Sequence, residues 1–225
     1  MQLGRFLIKQ ANYSRKQVLC LLVQQQVKVD GLVVTARDKV VTEFNEITIG
    51  EEIIQAKKIA HYYMMNKAQG ILSATIDLQH KTVMDIMQQA GYNTIDLHIA
   101  GRLDRSTTGL ILLTNDGKWS RQITEPTHKI AKVYVVTLAY PISPEIPQQF
   151  AKGIYFATEN ITTQPAQIEQ LALLKYRLTI YEGKYHQVKR MFAAVGNRVV
   201  SLHREAVGKY QLPQKTVAGD IYKIE

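Results

Sequence analysis

The chain has 225 residues, 46% of them hydrophobic, enough to build a core and too many for a disordered tail. Its longest unbroken apolar run, Val18 to Val23, is far short of the roughly 20 residues that span a bilayer, and Met1 to Arg5 show no signal-peptide core, so a cytoplasmic protein without a membrane partner is expected. A single cysteine, Cys20, excludes an internal disulfide and a multi-cysteine metal site, while 28 Lys and Arg against 19 Asp and Glu give a net charge of +9 and point to a polyanionic partner, most often nucleic acid.

Residues 1–56 read as a small unit of their own. Leu3, Phe6, Leu7 and Gln10-Ala11 mark a short amphipathic helix. Ser14 followed by Gln17 is a capping box, in which the hydroxyl serves an exposed amide and the amide side chain answers it. Val18, Leu19, Leu22 and Val23 are expected on one face of a second helix, with Cys20 as a small core residue. Val27 to Val29 alternates, Asp30-Gly31 turns, Leu32-Val33 returns, and Ile47 to Gly50 closes the unit as a strand. The basic residues Arg5, Lys9, Arg15, Lys16, Lys28, Arg37 and Lys39 all precede Glu43, with only Asp30 and Asp38 among them.

Residues 57–60 form a short charged linker, and residues 61–225 follow as a second domain. Ala60 to Asn66 reads as a strand and Thr82 to Ala90 as a helix capped by Thr82. Leu97 to Ala100 and Gly109 to Thr114 are strands, Asn115-Asp116-Gly117 is a turn, and Trp119 to Thr124 starts a helix. Lys129 to Tyr140 is the clearest strand, with Lys132, Tyr134, Val136 and Leu138 on one face. Phe150 sits in a helix, Tyr176 to Tyr181 alternates, His186 to Val195 is helical and Val199 to His203 extended. Many strands with interspersed helices make the fold α+β, with a mixed, mainly antiparallel sheet.

The stretch GRLDRSTTGLILLTNDG, residues 101–117, is a polar loop delivering into a buried strand. Asp104 stands between Arg102 and Arg105, and a carboxylate among guanidiniums is held in its ionised form. That suits a nucleophile or a charge stabiliser better than a general acid. By itself the loop reads more readily as a structural Asp bonding loop amides or capping a turn.

The same stretch resembles the central motif of the bacterial rRNA pseudouridine synthases. Asn66-Lys67-Ala68-Gln69-Gly70 is similar to that family's first motif, with Ala68 where the pattern has Pro. Lys132-Val133-Tyr134 is similar to its Lys-x-Tyr strand, and residues 182–197, EGKYHQVKRMFAAVGN, to its third motif, with Leu202-His203-Arg204-Glu205 behind it. The wording of the third motif is closest to members acting on the small ribosomal subunit. The two helices and Val-Asp-Gly hairpin of residues 1–56 resemble the S4 RNA-binding module.

The resemblance implies a cofactor-free, metal-free isomerase that turns a uridine of 16S rRNA, the one numbered 516, or of a small-subunit assembly intermediate, into pseudouridine. It implies a monomer with Asp104 as nucleophile, Tyr134 stacked on the base, Lys189 paired with Asp104, Leu202 walling the pocket and Arg102 entering the space left by an extruded nucleotide. Arg5, Lys9, Arg15, Lys16, Lys28, Lys67, Arg105, Lys184, Arg190 and Arg204 are the expected RNA contacts. Between Lys184 and Lys209 there are six Lys or Arg and one acid, Glu205, as a phosphate-binding surface would have. His186 and His203 are expected to be structural or RNA-contacting. Three alternatives stand beside this reading: a synthase acting on 23S rRNA, a non-catalytic S4-type assembly factor, and a nucleoside hydrolase, which needs a second carboxylate such as Asp116.

Overall fold

The computed structural model describes residues 1–224, which divide into two compact units, Met1–Ala60 and a second beginning at His61. The first unit joins helices α1 (Leu3–Lys9) and α2 (Arg15–Val23) to strands β1 (Val27–Val29), β2 (Leu32–Val33), β3 (Ile47–Ile49) and β4 (Glu52–Gln55). The strands form an antiparallel sheet in the order β2-β1-β3-β4. Leu3, Phe6, Leu7, Val18 and Leu22 share a core with Val27, Val29 and Ile47. The capping box is complete: Gln17 N donates to Ser14 Oγ at 3.2 Å and Ser14 N to Gln17 Oε1 at 2.8 Å.

Two expectations fail on α2. Only Val18 and Leu22 face inward; Leu19 is 51% and Val23 79% exposed, and Cys20 is exposed as well. At 100° per residue, Leu19 and Val23 form the next row round the cylinder, and three-residue strands offer a surface for one row alone. Strand β4 was not expected. Its acidic opening, Glu51-Glu52, hides a two-residue hairpin turn in which Gly50 takes a left-handed φ of 60°.

The second unit runs β5 (Tyr62–Lys67), α3 (Val83–Gln89), β6 (His98–Ile99), β7 (Thr108–Thr114), α4 (Gly117–Thr124), β8 (Lys132–Leu138) and α5 (Ile146–Lys152). It continues with β9 (Tyr155–Phe156), β10 (Ile161–Thr162), β11 (Gln167–Ala172), β12 (Lys175–Ile180), α6 (Gln187–Ala194), β13 (Val199–Val207), β14 (Tyr210–Gln211) and β15 (Ile221–Lys223). The main sheet has the order β11-β12-β8-β13-β7-β5-β15, with β14 beside β13 and β6 beside β7. Its β13–β7 pair is parallel and the other pairs antiparallel, giving the expected mixed, mainly antiparallel α+β fold.

Strand β7 is apolar on both faces because both are covered. Ile111 and Leu113 join the core that includes Met87, Phe150 and Phe192, whereas Leu110 and Leu112 join Ile123, Val207 and Leu212. Asp116 is not a simple turn residue: it caps α4, its Oδ1 accepting from Lys118 N at 2.9 Å and Trp119 N at 3.1 Å. Its Oδ2 accepts from Tyr62 Oη at 2.9 Å.

The parallel contact sets the position of the loop in front of β7. Gly109 pairs with Arg204 at a φ of 102°, and a Cβ there would stand 2.3 Å from the Arg204 carbonyl oxygen. Glycine is required by that backbone approach.

Candidate active site

Residues 101–107 form the loop that delivers into β7, and four ties hold it. Ser73 Oγ donates to Leu103 O at 2.7 Å and accepts from Leu103 N at 3.0 Å. Gly70 N donates to Arg105 O at 2.8 Å, and Arg105 Nε returns a bond to Gly70 O at 3.2 Å. The third tie is Lys67, whose ammonium donates to Ile71 O at 2.8 Å, Ala68 O at 2.9 Å and Arg105 O at 3.4 Å. The fourth is Arg204: Nε donates to Leu110 O at 2.7 Å, and its two terminal nitrogens to Gly101 O at 3.3 Å and Arg102 O at 3.5 Å.

These contacts correct two expectations. Lys67 is 0% exposed and Arg204 is also buried, so neither reaches an RNA phosphate. Both spend their charge on backbone carbonyls around Asp104. Ala68, where the family pattern has Pro, keeps the backbone carbonyl that accepts from Lys67 at 2.9 Å.

Lys67 carries a measurable consequence. Burial lowers its ammonium to about 8 from 10.5; Asp104 opposes that shift and Arg204 adds to it. Below pH 8 both folded and unfolded chains are protonated at Lys67, and the folded chain bears the full cost of the buried charge. Between about 8 and 10.5 the folded chain releases its proton while the unfolded chain keeps it, so stability rises with pH across that window. Urea unfolding should show wild type gaining up to roughly 3 kcal/mol on Lys67→Met between pH 7 and 10.5. Parallel stability curves for the two proteins count against a buried ammonium.

Helix α6 brings the other half of the site. Glu182, buried, accepts at Oε1 from Gln164 N and from Gln187 Nε2, both at 2.8 Å, and Lys184 N donates to Gln187 Oε1 at 2.9 Å. His186 precedes the helix in a left-handed conformation, φ 48°, its ring stacked on Tyr185 at 3.8 Å. Val188, Met191 and Phe192 bury the opposite face of α6. Lys189, in the first turn, is thereby held over the loop.

Its ammonium lies 2.9 Å from Asp104 Oδ2 and 2.9 Å from Ser106 Oγ. His186 Nε2 stands 3.4 Å from Asp104 Oδ1, so each carboxylate oxygen faces a nitrogen. The expected direct Lys189–Asp104 contact is present, and His186, assigned no part in the chemistry, touches the carboxylate. Asp104 remains about a quarter exposed, open to a ligand.

A cleft of about 190 Å³ surrounds this carboxylate. Tyr134 and Leu202, both buried, line it with Arg102, Lys132 and Lys184. Arg102 and Arg105 are exposed, and Lys184 is half-buried beside Glu182 at 3.3 Å. Arg190 is engaged within the protein: it pairs with Glu159, lies 3.9 Å over the Phe156 ring and donates to Tyr185 O at 3.3 Å. Its expected RNA contact is therefore withdrawn. His203 Nδ1 stands 2.9 Å from Thr108 Oγ1, and burial pushes its imidazole below the usual range, with Lys175 adding to the shift and Glu205 opposing it. Asp116 does not line the cleft, which removes the second carboxylate a hydrolase reading needs.

A family model described as RNA pseudouridylate synthase matches residues 61–194. The chain belongs to that family. It is 45% identical to the ribosomal small subunit pseudouridine synthase A of Pseudomonas aeruginosa, an alignment covering 92% of this chain and 90% of the relative. The protein of the same name from Escherichia coli strain K12 is 42% identical, with 98% and 94% covered. A crystal structure of a pseudouridylate synthase is 36% identical, covers 100% of this chain and 96% of that one, and superposes with a TM-score of 0.70. In this pseudouridine synthase the residues missed from sequence include Ser106, which accepts from Lys189, and the pair Glu182 and Gln187, which orders the start of α6. Their signal was the run EGKYHQVKR, in which the basic residues drew attention to RNA and away from the buried carboxylate.

Proposed function

We propose that this pseudouridine synthase converts the uridine numbered 516 of 16S rRNA, or of a small-subunit assembly intermediate, to pseudouridine, with Asp104 as nucleophile. The observation that carries the reading is a partly open Asp104, paired with Lys189 at 2.9 Å beside Tyr134, in a chain 45% identical to an enzyme named for the small ribosomal subunit. A uridine in folded RNA is out of reach of a carboxylate in a cleft, so the nucleotide is flipped out of its stack. Tyr134 offers its ring to the base, and base–aromatic stacking is worth about 1–3 kcal/mol. Arg102, exposed at the rim, fills the gap the nucleotide leaves.

Asp104 attacks the flipped nucleoside, at C1′ of the ribose or C6 of the uracil. The bond from N1 to C1′ breaks, the base turns, C5 bonds to C1′, and the bond to Asp104 breaks again, returning the free carboxylate. C5 loses a proton and N1 gains one, so atoms balance within the nucleoside and no cofactor or metal takes part. Lys189 and Lys67 lower the cost of keeping the carboxylate charged once the base has displaced water.

The unit Met1–Ala60 acts as an S4-type RNA-binding module. Arg5, Lys9, Arg15, Lys16 and Lys28 are all exposed on it. The protein works as a monomer in the cytoplasm; among the described residues no helix is long and apolar enough to cross a membrane. Replacing Arg5, Lys9, Arg15 and Lys16 together by Gln in the full chain should weaken rRNA binding. It should also flatten the slope of log affinity against log salt by about 0.7–0.9 for each phosphate no longer neutralised. An unchanged slope would mean that these helices do not touch RNA.

The deciding experiment maps pseudouridine in 16S and 23S rRNA from cells with and without the gene. Chemical labelling read by reverse transcription is needed, because the product is isobaric with uridine. One 16S site should disappear and return with the wild-type gene. A loss confined to 23S rRNA overturns the assigned target, and no loss in either overturns the activity.

A further inference from the structure

Lys132 opens β8 two residues before Tyr134, on the same strand face, and lines the cleft with Asp104, Tyr134 and Leu202. It is 7% exposed, and its ammonium is shielded from water with no hydrogen-bond partner among the described residues. Neighbouring cations are committed: Lys189 to Asp104 and Ser106, Lys184 to Glu182, Arg204 to three carbonyls. Among the described residues Glu182 forms no ion pair with Lys132; its oxygens face Gln164 N, Gln187 Nε2 and Lys184. Burial, reinforced by Arg204 and opposed by Glu182, pushes the Lys132 ammonium below its ordinary range.

Burying a cation without a partner is strongly unfavourable, and a fold that does so in its cleft holds a site for something that completes the pair. Under the reading above, the substrate supplies that partner. When N1 separates from C1′ the bonding electrons pass to the uracil, where they spread over N1 and the two carbonyl oxygens. The pair is used again when C5 bonds to C1′, after which C5 releases its proton and N1 takes one up.

We propose that Lys132 is a catalytic residue that donates a hydrogen bond to a carbonyl oxygen of the flipped uracil and supplies the countercharge for the base while it is detached, an inference that rests on the pseudouridine synthase reading. The ammonium keeps its proton throughout. Its four-carbon stem lets it turn to the base when the cleft is filled, and three donors suit an oxygen acceptor that gains charge in the reaction.

The test uses the full chain and an rRNA fragment carrying the target as uridine, 2-thiouridine or 4-thiouridine. Lys132→Met should bind the uridine RNA within about twofold of wild type yet lose roughly 10²–10³-fold in single-turnover rate, the scale of one lost oxyanion donor. It should melt at or above the wild-type temperature, because the unpaired buried charge is gone. Lys132→Arg should recover part of the rate. Sulfur is the poorer acceptor, so one of the two thio substrates should slow wild type, and that penalty should vanish in Lys132→Met. Turnover by Lys132→Met close to wild type overturns the proposal. So do thio penalties that survive the substitution, and a lowered melting temperature with those penalties intact assigns Lys132 to the scaffold. If wild type makes no pseudouridine from uridine RNA that it binds, the activity assignment itself falls, and the role of Lys132 with it.

Discussion

Asp104→Asn is expected to remove product formation, by on the order of 10⁴-fold or more, while rRNA affinity stays within about twofold. The amide keeps the shape of the carboxylate but has no charge and little nucleophilicity. The fold should tolerate the change. Asp104 contributes one side of a part-exposed ion pair, with side chains 27% and 31% exposed, and such pairs contribute about 1 kcal/mol or less. The loop that carries it is held through the backbone of its neighbours, by Ser73, Gly70, Lys67 and Arg204, rather than through the carboxylate. A melting temperature near wild type with turnover abolished is thus the signature of a nucleophile. Retained turnover by the purified variant would transfer the chemistry to another group.

What the sequence made readable follows from how local each determinant is. The capping box at Ser14, the cap at Thr82, the Asp30-Gly31 hairpin and the buried strand β7 are decided within a few residues, and all were legible. Strand β11, Gln167–Ala172, was not: it is mostly exposed at the sheet edge, and its polar run carries no alternation of apolar residues. The site divides the same way. Asp104, Tyr134, Lys189 and Leu202 come together in one cleft, as their motifs implied. Lys67 and Arg204 were misread because a basic residue in a basic protein looks solvent-facing. What buries them is a set of backbone carbonyls supplied by the loop at 101–105, by Leu110 and by Ala68 and Ile71, which no residue type announces. Lys132 was placed on the correct strand face by alternation, but its lack of a partner is visible only in three dimensions.

Lys189→Met separates charge from nucleophile. The substitution keeps the stem and removes an ammonium that bridges Asp104 Oδ2 and Ser106 Oγ. Stripped of that cation, the carboxylate meets a base-filled cleft with its charge less well compensated, which is costly. The single-turnover rate should therefore fall by roughly 10²-fold, the low end of losing one preorganised donor, while rRNA affinity stays near wild type. His186, 3.4 Å from the other oxygen, also faces the carboxylate, and its share must be separated. Replacing His186 by Gln in both backgrounds does so: a rate loss that persists on removal of Lys189 belongs to the ammonium. Lys67, which also acts electrostatically on Asp104, is unaltered in every variant and cannot produce the difference. Lys189→Arg should restore part of the rate, since the charge returns, but not all of it, because a planar guanidinium does not reproduce a compact ammonium shared between a carboxylate and a hydroxyl. A rate unchanged in Lys189→Met would leave Arg102 and Arg105 as the cations that serve Asp104.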